Sequence, residues 1–377
     1  MNVLHVITNL DDGGAQTVLL RLVAADARDA HAVVSLTDGG IFGARLAAAG
    51  VPVTTVGLPR GRVTAAGFAR LVRAVRAARP DAVQTWMYHA DLLGGLAARL
   101  AGARAVVWGI RNTDLDSRRV SRQTRLTARA CAAVSRIVPR RIVSCSQEAA
   151  RVHAALGYPA GRMAVVPNGY DLTAFAPDPA ARARVRAELG IEEGAPLLGM
   201  VARWDPHKDH ANLVAALALL GNRGAPDWRC ALVGRGMDSG NPAVAALLGR
   251  HGMGGRVLAL GARDDVPAIM NALDLHVLSS VGEAFPNVVA EAMACGTPAV
   301  VTDSGDAALI VGESGWVVPP DDPRALAGAI RVALRELADP GARAARAAAC
   351  RGRIERNFSL ERMVAGYREA WSAAQAR

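Results

Sequence analysis

An α/β fold with two Rossmann-like, doubly wound domains is what this sequence predicts, and three observations predict it. Apolar runs of strand length alternate with helix-length stretches along most of the chain. The alternation stops at a turn-rich segment near residue 170 and then begins again. The length, 377 residues, exceeds the size at which a single hydrophobic core usually stops growing.

Strand-like runs fall at 3–8, 31–36, 51–56, 82–85, 104–108 and 141–144, with helical stretches such as 15–27 and 68–79 between them. The runs are continuously apolar, as expected of parallel strands covered by helices on both faces. Repeated βα units of this length build a doubly wound sheet. A strand-like 163–166 leads into Pro167-Asn168-Gly169-Tyr170-Asp171 and Pro177-Asp178-Pro179, both dense in turn-formers. A second βα series then runs through 197–202, 230–234, 257–260, 275–279 and 299–302. Ligands of open α/β sheets bind beyond the carboxyl ends of the strands. Two such sheets facing each other would place a ligand in the cleft between domains.

Hydrophobic residues make up 51% of the chain but aromatics only 4%, so the cores must be built mainly from Ala, Val and Leu. No window approaches the ~20 apolar residues that a membrane-spanning helix needs. The opening Met1-Asn2-Val3-Leu4-His5-Val6-Ile7 has no basic n-region and no small-residue cleavage site, so it reads as a first strand in a cytoplasmic protein. Cys131, Cys145, Cys230, Cys295 and Cys350 are odd in number and widely spaced, without CxxC or Cys/His spacing. Buried free thiols and no metal site are expected. The formal charge is +10, yet of 44 basic residues only Lys208 is a lysine. An Arg bias beside abundant Ala and Gly is the signature of a GC-rich genome, so the net charge is weak evidence for a polyanion partner. Lys208 is more informative: an ammonium is a compact point charge, and its survival marks a position that wants the smaller group.

Gly13-Gly14 follows the first strand and opens the first helix. Glycines there admit a ligand to the backbone and leave helix N–H groups free for an anion, although a tight strand-to-helix connection needs them as well. The spacing is not GxGxxG, and the second strand ends Ser35-Leu36-Thr37 without an acidic residue, which lowers a dehydrogenase reading. In the second domain, Arg203 ends the first strand and the Pro206 turn brings Lys208 to the start of the next helix. Two cations beside a helix N-terminus suit a diphosphate, whose charge grows as it departs. Pro286 suits a first helical turn and Gly296 a C-terminal cap, so a helix over 286–295 is predicted. Glu283 then lies in the loop before that helix and Glu291 in its second turn. The free N–H groups of Phe285, Asn287 and Val288 can meet phosphate or sugar oxygens, and Glu291 can accept from both hydroxyls of a ribose. Paired carboxylates also serve glycoside hydrolysis, but a hydrolase has no need of an Arg/Lys diphosphate clamp.

With Glu283 and Glu291 eight apart, in a Phe285-Pro286-Asn287 and Ala294-Cys295-Gly296-Thr297-Pro298 context and preceded by Arg203 and Lys208, the chain resembles the retaining glycosyltransferases of family 4, which have the GT-B fold. Val166-Pro167-Asn168-Gly169 and Trp316-Val317-Val318-Pro319-Pro320 extend the likeness over nearly the whole chain. The resemblance implies an acceptor-binding domain over 1–170, a donor-nucleotide domain over 171–358, and a final helix over 359–377 crossing back to the first domain. It implies that Arg203 and Lys208 bind the donor diphosphate and Glu291 the ribose. Glu283 would touch the transferred sugar with the backbone of Phe285, Pro286, Asn287 and Val288, and Gly13 and Gly14 would line the donor site. Arg263 and Val266 lie in the stretch that matches the nucleobase loop, and His89 matches a histidine that reaches the sugar from the N-terminal domain. No cofactor is implied. Two departures stand out: the common Glu-Gly-Phe reads Glu283-Ala284-Phe285, and where a Pro-Glu frequently follows the Gly-rich turn the chain reads Gly305-Asp306-Ala307-Ala308, which puts any role of that Glu in doubt.

Between strands of the first domain, 117–141 carries Arg118, Arg122, Arg125, Arg129, Arg136 and Arg140 at spacings of three, four or seven, one face of a helix. Such a face can sit on anionic lipid or simply be solvated. Arg111 and Asp114, at a strand end just upstream, are candidates for an acceptor. The reading is transfer of a hexose, with retention and without a metal, from a nucleotide-diphosphate sugar, UDP ahead of GDP. The acceptor would be a glycan or lipid-linked molecule in cell-surface polysaccharide synthesis, made by a cytoplasmic protein peripheral to the membrane. The rivals are a GT-B epimerase acting on the nucleotide sugar and a non-catalytic GT-B-like subunit. No aromatic-interleaved basic strand supports nucleic acid as a partner.

Overall fold

Apolar runs become parallel strands, and the connecting stretches become helices laid over them. The computed structural model describes residues 1–11, 13–113, 120–192, 194–221 and 227–376. Unit 1 comprises Met1–Gly169 with Leu360–Arg377, and unit 2 comprises Tyr170–Ser359.

In chain order unit 1 runs β1 (Asn2–Ile7), α1 (Gly14–Ala25), β2 (Ala30–Ser35), α2 (Gly40–Ala48), β3 (Val53–Thr55), α3 (Ala65–Ala78), β4 (Ala82–Trp86), α4 (Tyr88–Leu100), β5 (Val106–Ile110), α5 (Arg122–Val134), β6 (Arg141–Ser144), α6 (Gln147–Ala155) and β7 (Met163–Val165). Unit 2 runs α7 (Pro179–Glu188), β8 (Leu197–Val201), α8 (His210–Leu220), β9 (Arg229–Val233), α9 (Pro242–Arg250), β10 (Val257–Gly261), α10 (Val266–Ala272), β11 (Leu275–Leu278), α11 (Asn287–Ala294), β12 (Ala299–Thr302), α12 (Ala307–Val311), β13 (Trp316–Val318), α13 (Pro323–Leu337) and α14 (Pro340–Asn357). The chain then returns to unit 1 as α15 (Leu360–Gln375).

Among the described residues the unit 1 sheet has the order β3-β2-β1-β4-β5-β6-β7 and the unit 2 sheet the order β10-β9-β8-β11-β12-β13. The strand direction of travel therefore reverses once in each sheet, between β1 and β4 and between β8 and β11. At such a switch point the flanking helices leave to opposite faces and open a crevice at the carboxyl ends of the strands. One face of the unit 1 sheet packs residues of α3, α4, α5 and α6; the other packs α1, α2 and α15.

The last helix is tied down by a buried polar network. Trp371 has no exposed surface and its Nε1 donates to Gln84 Oε1 at 3.1 Å. His5 Nε2 meets His31 Nδ1 at 3.0 Å, Trp86 Nε1 donates to His5 Nδ1 at 3.2 Å, and Arg368 reaches Asp26 and Asp29. Burial, with the neighbouring His31, holds the His5 pKa well below its ordinary value.

The Arg-rich helix is shorter than the charge spacing suggested. Ser121 caps its start by accepting from Thr124 N–H, and α5 ends at Val134, before Pro139. Arg136 and Arg140 therefore lie in the connection to β6 and Arg141 in β6 itself, so only Arg122, Arg125 and Arg129 share a helical face. Arg118 and Asp114 lie outside the described residues. Strand bounds also shift, with 51–56 contracting to β3 and 104–108 moving to β5, and β13 adds a short strand flanked by Gly315 and Pro319. All five cysteines are buried and free.

Unit 2 buries two neutral histidines. His276 on β11 has no exposed surface and, among the described residues, no hydrogen-bond partner on either ring nitrogen, and burial lowers its pKa to about 3. His210 stacks on Trp204 with centroids 5.2 Å apart, and burial with the charge of Lys208 lowers it to about 4. Below the ordinary value of 6.5 the unfolded chain takes up protons that the native state refuses, so stability present above that pH is lost as pH falls toward 4 and 3. The urea midpoint of unit 2 should therefore drop on acidification, and His276→Leu should flatten the dependence. An unaltered slope in that variant would refute the assignment.

Candidate active site at the sheet switch points

The carboxyl end of β8 runs Ala202-Arg203-Trp204-Asp205 into a 3₁₀ turn, Pro206–Lys208. Asp205 caps that turn: its Oδ1 accepts from His207 N–H and sits 2.9 Å from His207 Nδ1, while Oδ2 accepts from Arg203 at 2.8 and 3.1 Å. Burial alone would raise the Asp205 carboxyl, but these bonds pull it down to about 2. Asp209 then takes φ 46° and caps α8 by accepting from Asn212 N–H.

The neighbouring strand β11 ends in the loop that carries Glu283. Ser279 Oγ donates to Lys208 O and Asp209 O at 2.9 Å each, and Val281 N–H donates to His207 O at 2.8 Å. These bonds stitch the loops after β8 and β11 together across the switch point. Lys208 Nζ consequently lies 2.5 Å from Glu283 Oε1, which also accepts from Ser280 Oγ at 2.8 Å. Glu283 N–H donates to Ser304 Oγ, and Asp306 N–H to Ala284 O, both at 3.0 Å. Both cations of the site face acids of the same unit, Lys208 against Glu283 and Arg203 against Asp205.

Pro286 is the N-cap of α11 rather than its first residue, at φ −71° and ψ 98°, and Cys295 is the C-cap before Gly296 at φ 82°. The pyrrolidine ring fixes φ but sits just outside the helical turn here. Glu291 is buried in the second turn of α11, Phe285 packs edge-on to Phe358, and Asn287 Oδ1 accepts from Tyr170 Oη at 2.8 Å. Val288 follows Asn287 in the first turn. Arg263 is drawn into ion pairs with Glu188 at 2.5 Å and Asp265 at 2.8 Å, beside Val266 at the start of α10.

In unit 1, Gly13 is the N-cap of α1 beyond β1, and Gly14 its first residue. His89 lies in the first turn of α4, beyond β4, and burial lowers its pKa. Arg111, after β5, donates to Asn168 Oδ1 at 2.5 Å and to Tyr367, and stacks over Trp86 at 4.6 Å. Its guanidinium braces α15, an engagement with no local sequence signal. Among the described residues no group of three or more His, Cys, Asp or Glu is placed to hold a metal.

Residues 12–174 match the family model described as Glycosyltransferase Family 4, and residues 195–336 the model described as Glycosyl transferases group 1. The chain belongs to the family 4 glycosyltransferases. This glycosyltransferase is 29% identical over 312 residues to a Bacillus subtilis protein that bears the name glycosyltransferase EpsF, covering 80% of this chain and 79% of that one. A D-inositol 3-phosphate glycosyltransferase of Salinispora arenicola is 34% identical over 57% of this chain, which spans half the length (50%) of that relative. Among solved structures, HepE of Anabaena in complex with UDP aligns at TM-score 0.86 and 23% identity, over 99% of this chain and 100% of that one. The same protein with UDP-glucose aligns at 0.85. The fold is GT-B.

Several residues that shape the glycosyltransferase site were silent in the sequence: Asp205 and Ser280, whose partners lie two and three residues away in their own loops, and Ser304, which meets Glu283 only once β11 and β12 lie side by side. Gly305 is another. At φ 58°, a Cβ there would stand 2.4 Å from Glu283 O and 2.6 Å from Ala284 O. Gly305→Ala must push the Glu283 loop away or strain its own backbone, at about 1–2 kcal/mol for the left-handed conformation alone. A lower melting temperature with weaker UDP binding in calorimetric titration is expected; wild-type values for both would show that the loop yields freely.

Proposed function

We propose that the enzyme transfers a hexosyl group with retention from a UDP-hexose, using Arg203 and Lys208 instead of a metal to neutralise the departing diphosphate. The observation that carries this reading is the juxtaposition at the β8–β11 switch point of Arg203, Lys208 and Glu283, with the N-terminus of α11 beside them. On donor binding, the phosphate oxygens replace the carboxylates as partners of the two cations, which frees Glu283 for the hexose hydroxyls. Glu291, Phe285, Pro286, Asn287 and Val288 complete the donor side, with Arg263 and Val266 toward the base and Gly13 and Gly14 beside the phosphates. His89 contacts the hexose. HepE, solved with UDP and with UDP-glucose, supports the choice of UDP.

For the acceptor, a glycan or lipid-linked molecule of cell-surface polysaccharide synthesis is favoured, with the protein held at an anionic membrane surface. Arg122 and Arg129 are exposed on α5 beside Leu126, which is 53% exposed, and Arg70, Arg73 and Arg76 are exposed along α3. Both helices pack against α4. Among the described residues no helix is long and apolar enough to cross a membrane. The test is release of UDP from a panel of UDP- and GDP-hexoses, with and without chelator, followed by NMR of the sugar product. Retained anomeric configuration and chelator-insensitive UDP release are expected. Conversion of the donor to an epimer without UDP release would overturn transfer. Salt-sensitive sedimentation with phosphatidylglycerol vesicles, but not phosphatidylcholine vesicles, is expected of the Arg face.

A further inference from the structure

The turn that carries His89 is closed by a ring of hydrogen bonds. Met87 N–H donates to Gly109 O at 3.0 Å, Asp91 N–H donates to Met87 O at 2.8 Å, and Gly109 N–H donates to Asp91 Oδ1 at 3.1 Å. The same Oδ1 accepts from Thr85 Oγ1 at 2.5 Å. One carboxyl oxygen thereby joins the first turn of α4 to both β4 and β5. Met87 sits inside the ring at φ 70° and ψ 160°, a conformation that side-chain-bearing residues adopt only when their surroundings dictate it. Gly109 cannot yield, because a Cβ there would lie 2.4 Å from Thr85 O. Asp91 has no exposed surface, and its Oδ2 is buried with no hydrogen-bond partner among the described residues.

We propose that Asp91 is a positioning residue, fixing the direction of His89 through this ring and tightening or slackening it with its own protonation. The inference rests on the reading of His89 as a hexose contact.

Burial pushes the Asp91 carboxyl up to about 7, against the hydrogen bonds from Thr85 and Gly109 and the charge of Arg111. The other groups around it bring no charge. Burial first, and the Asp91 charge after it, push the Cys131 thiol far up; burial, then the charges of Cys131 and Asp91, push the Tyr158 phenol far up, while burial lowers the pKa of His153, bonded to Tyr88. An ionised carboxylate accepts stronger hydrogen bonds than a neutral one, so the ring tightens as pH rises through about 7 and slackens below it.

Two measurements test this. By NMR, the Gly109 amide and the His89 ring should share a transition near pH 7 that vanishes in Asp91→Asn, which keeps the Oδ1 acceptor but cannot ionise. In UDP release from UDP-glucose, Asp91→Ala should lower kcat about 10²-fold with donor KM little changed, the cost of displacing a reacting group by about 1 Å. Asp91→Asn should hold kcat at the parent's low-pH level throughout. In a His89→Ala background, Asp91→Ala should lower kcat no further, since a residue acting through another is not additive with it. Full additivity, or a His89 ring that titrates identically in Asp91→Asn, overturns the positioning role. Parental kcat in His89→Ala would instead sink the hexose contact, and the NMR transitions would still decide on Asp91.

Discussion

Lys208→Ala is expected to lower kcat/KM for the sugar-nucleotide donor by about 10²–10³-fold, the ~3–4 kcal/mol that a preorganised charge-stabilising group contributes. The magnitude follows from where the ammonium sits. Lys208 is held by the 3₁₀ turn after β8, its side chain is 18% exposed, and the Glu283 carboxylate 2.5 Å away is 10% exposed. Charge developing on a departing diphosphate there would meet a cation little screened by water. Removing the lysine also leaves Glu283 a largely buried carboxylate that has lost its cation, a cost that falls on the free enzyme. Lys208→Arg should restore little, because a guanidinium fork does not fit a point-charge position. Steady-state kinetics of UDP release, with UDP affinity from calorimetry, separate the two contributions. Unchanged kcat/KM in Lys208→Ala would remove the diphosphate clamp from the mechanism.

Trp371→Ala destabilises unit 1 by about 3–5 kcal/mol, the range for truncating a buried Trp. The indole is fully buried on α15, lies edge-on to His5 at 5.9 Å and against Tyr367 at 5.8 Å, and bonds Gln84 in β4. Its loss opens a cavity beneath the helix and leaves the Gln84 carbonyl buried without that donor. The expected signature is a lower-temperature calorimetric transition while UDP affinity, proposed above to rest mainly on residues of unit 2, is largely retained. A melting profile unchanged from the parent would mean that α15 contributes little to the unit.

The alternation of apolar runs and helical stretches was legible because parallel strands buried on both faces leave an unmistakable pattern. β8 and β11 show it plainly, and Arg203, Lys208 and Glu283 stand where those runs end. What the sequence withheld depends on the third dimension. The adjacency of β8 and β11 is what brings Lys208 to Glu283, 75 positions further along the chain. Asp91 in the first turn of a helix looks like an ordinary acidic N-terminal residue; only the approach of Gly109 from the next strand shows that it is buried. Charge spacing alone carries the Arg-rich helix on through Ser135 and Pro139, where the chain in fact leaves the helix. Arg263 and Arg111 looked like free cations, and only the folded chain reveals the partners Glu188, Asp265, Asn168 and Tyr367.

The position of α15 has a consequence for biosynthesis. Residues 360–375 complete a helical layer, shared with α1 and α2, in a unit whose other elements end by residue 169, and all of unit 2 lies between. A nascent chain leaving the ribosome exposes the α15-facing side of the first sheet, with Val3, Ile7 and Trp86, while the whole of unit 2 is being translated. Unit 2, contiguous in sequence, can close first. Chaperone engagement should therefore concentrate on the stretch that emerges earliest, and a recombinant first unit should stay soluble only when residues 360–377 are appended after residue 169.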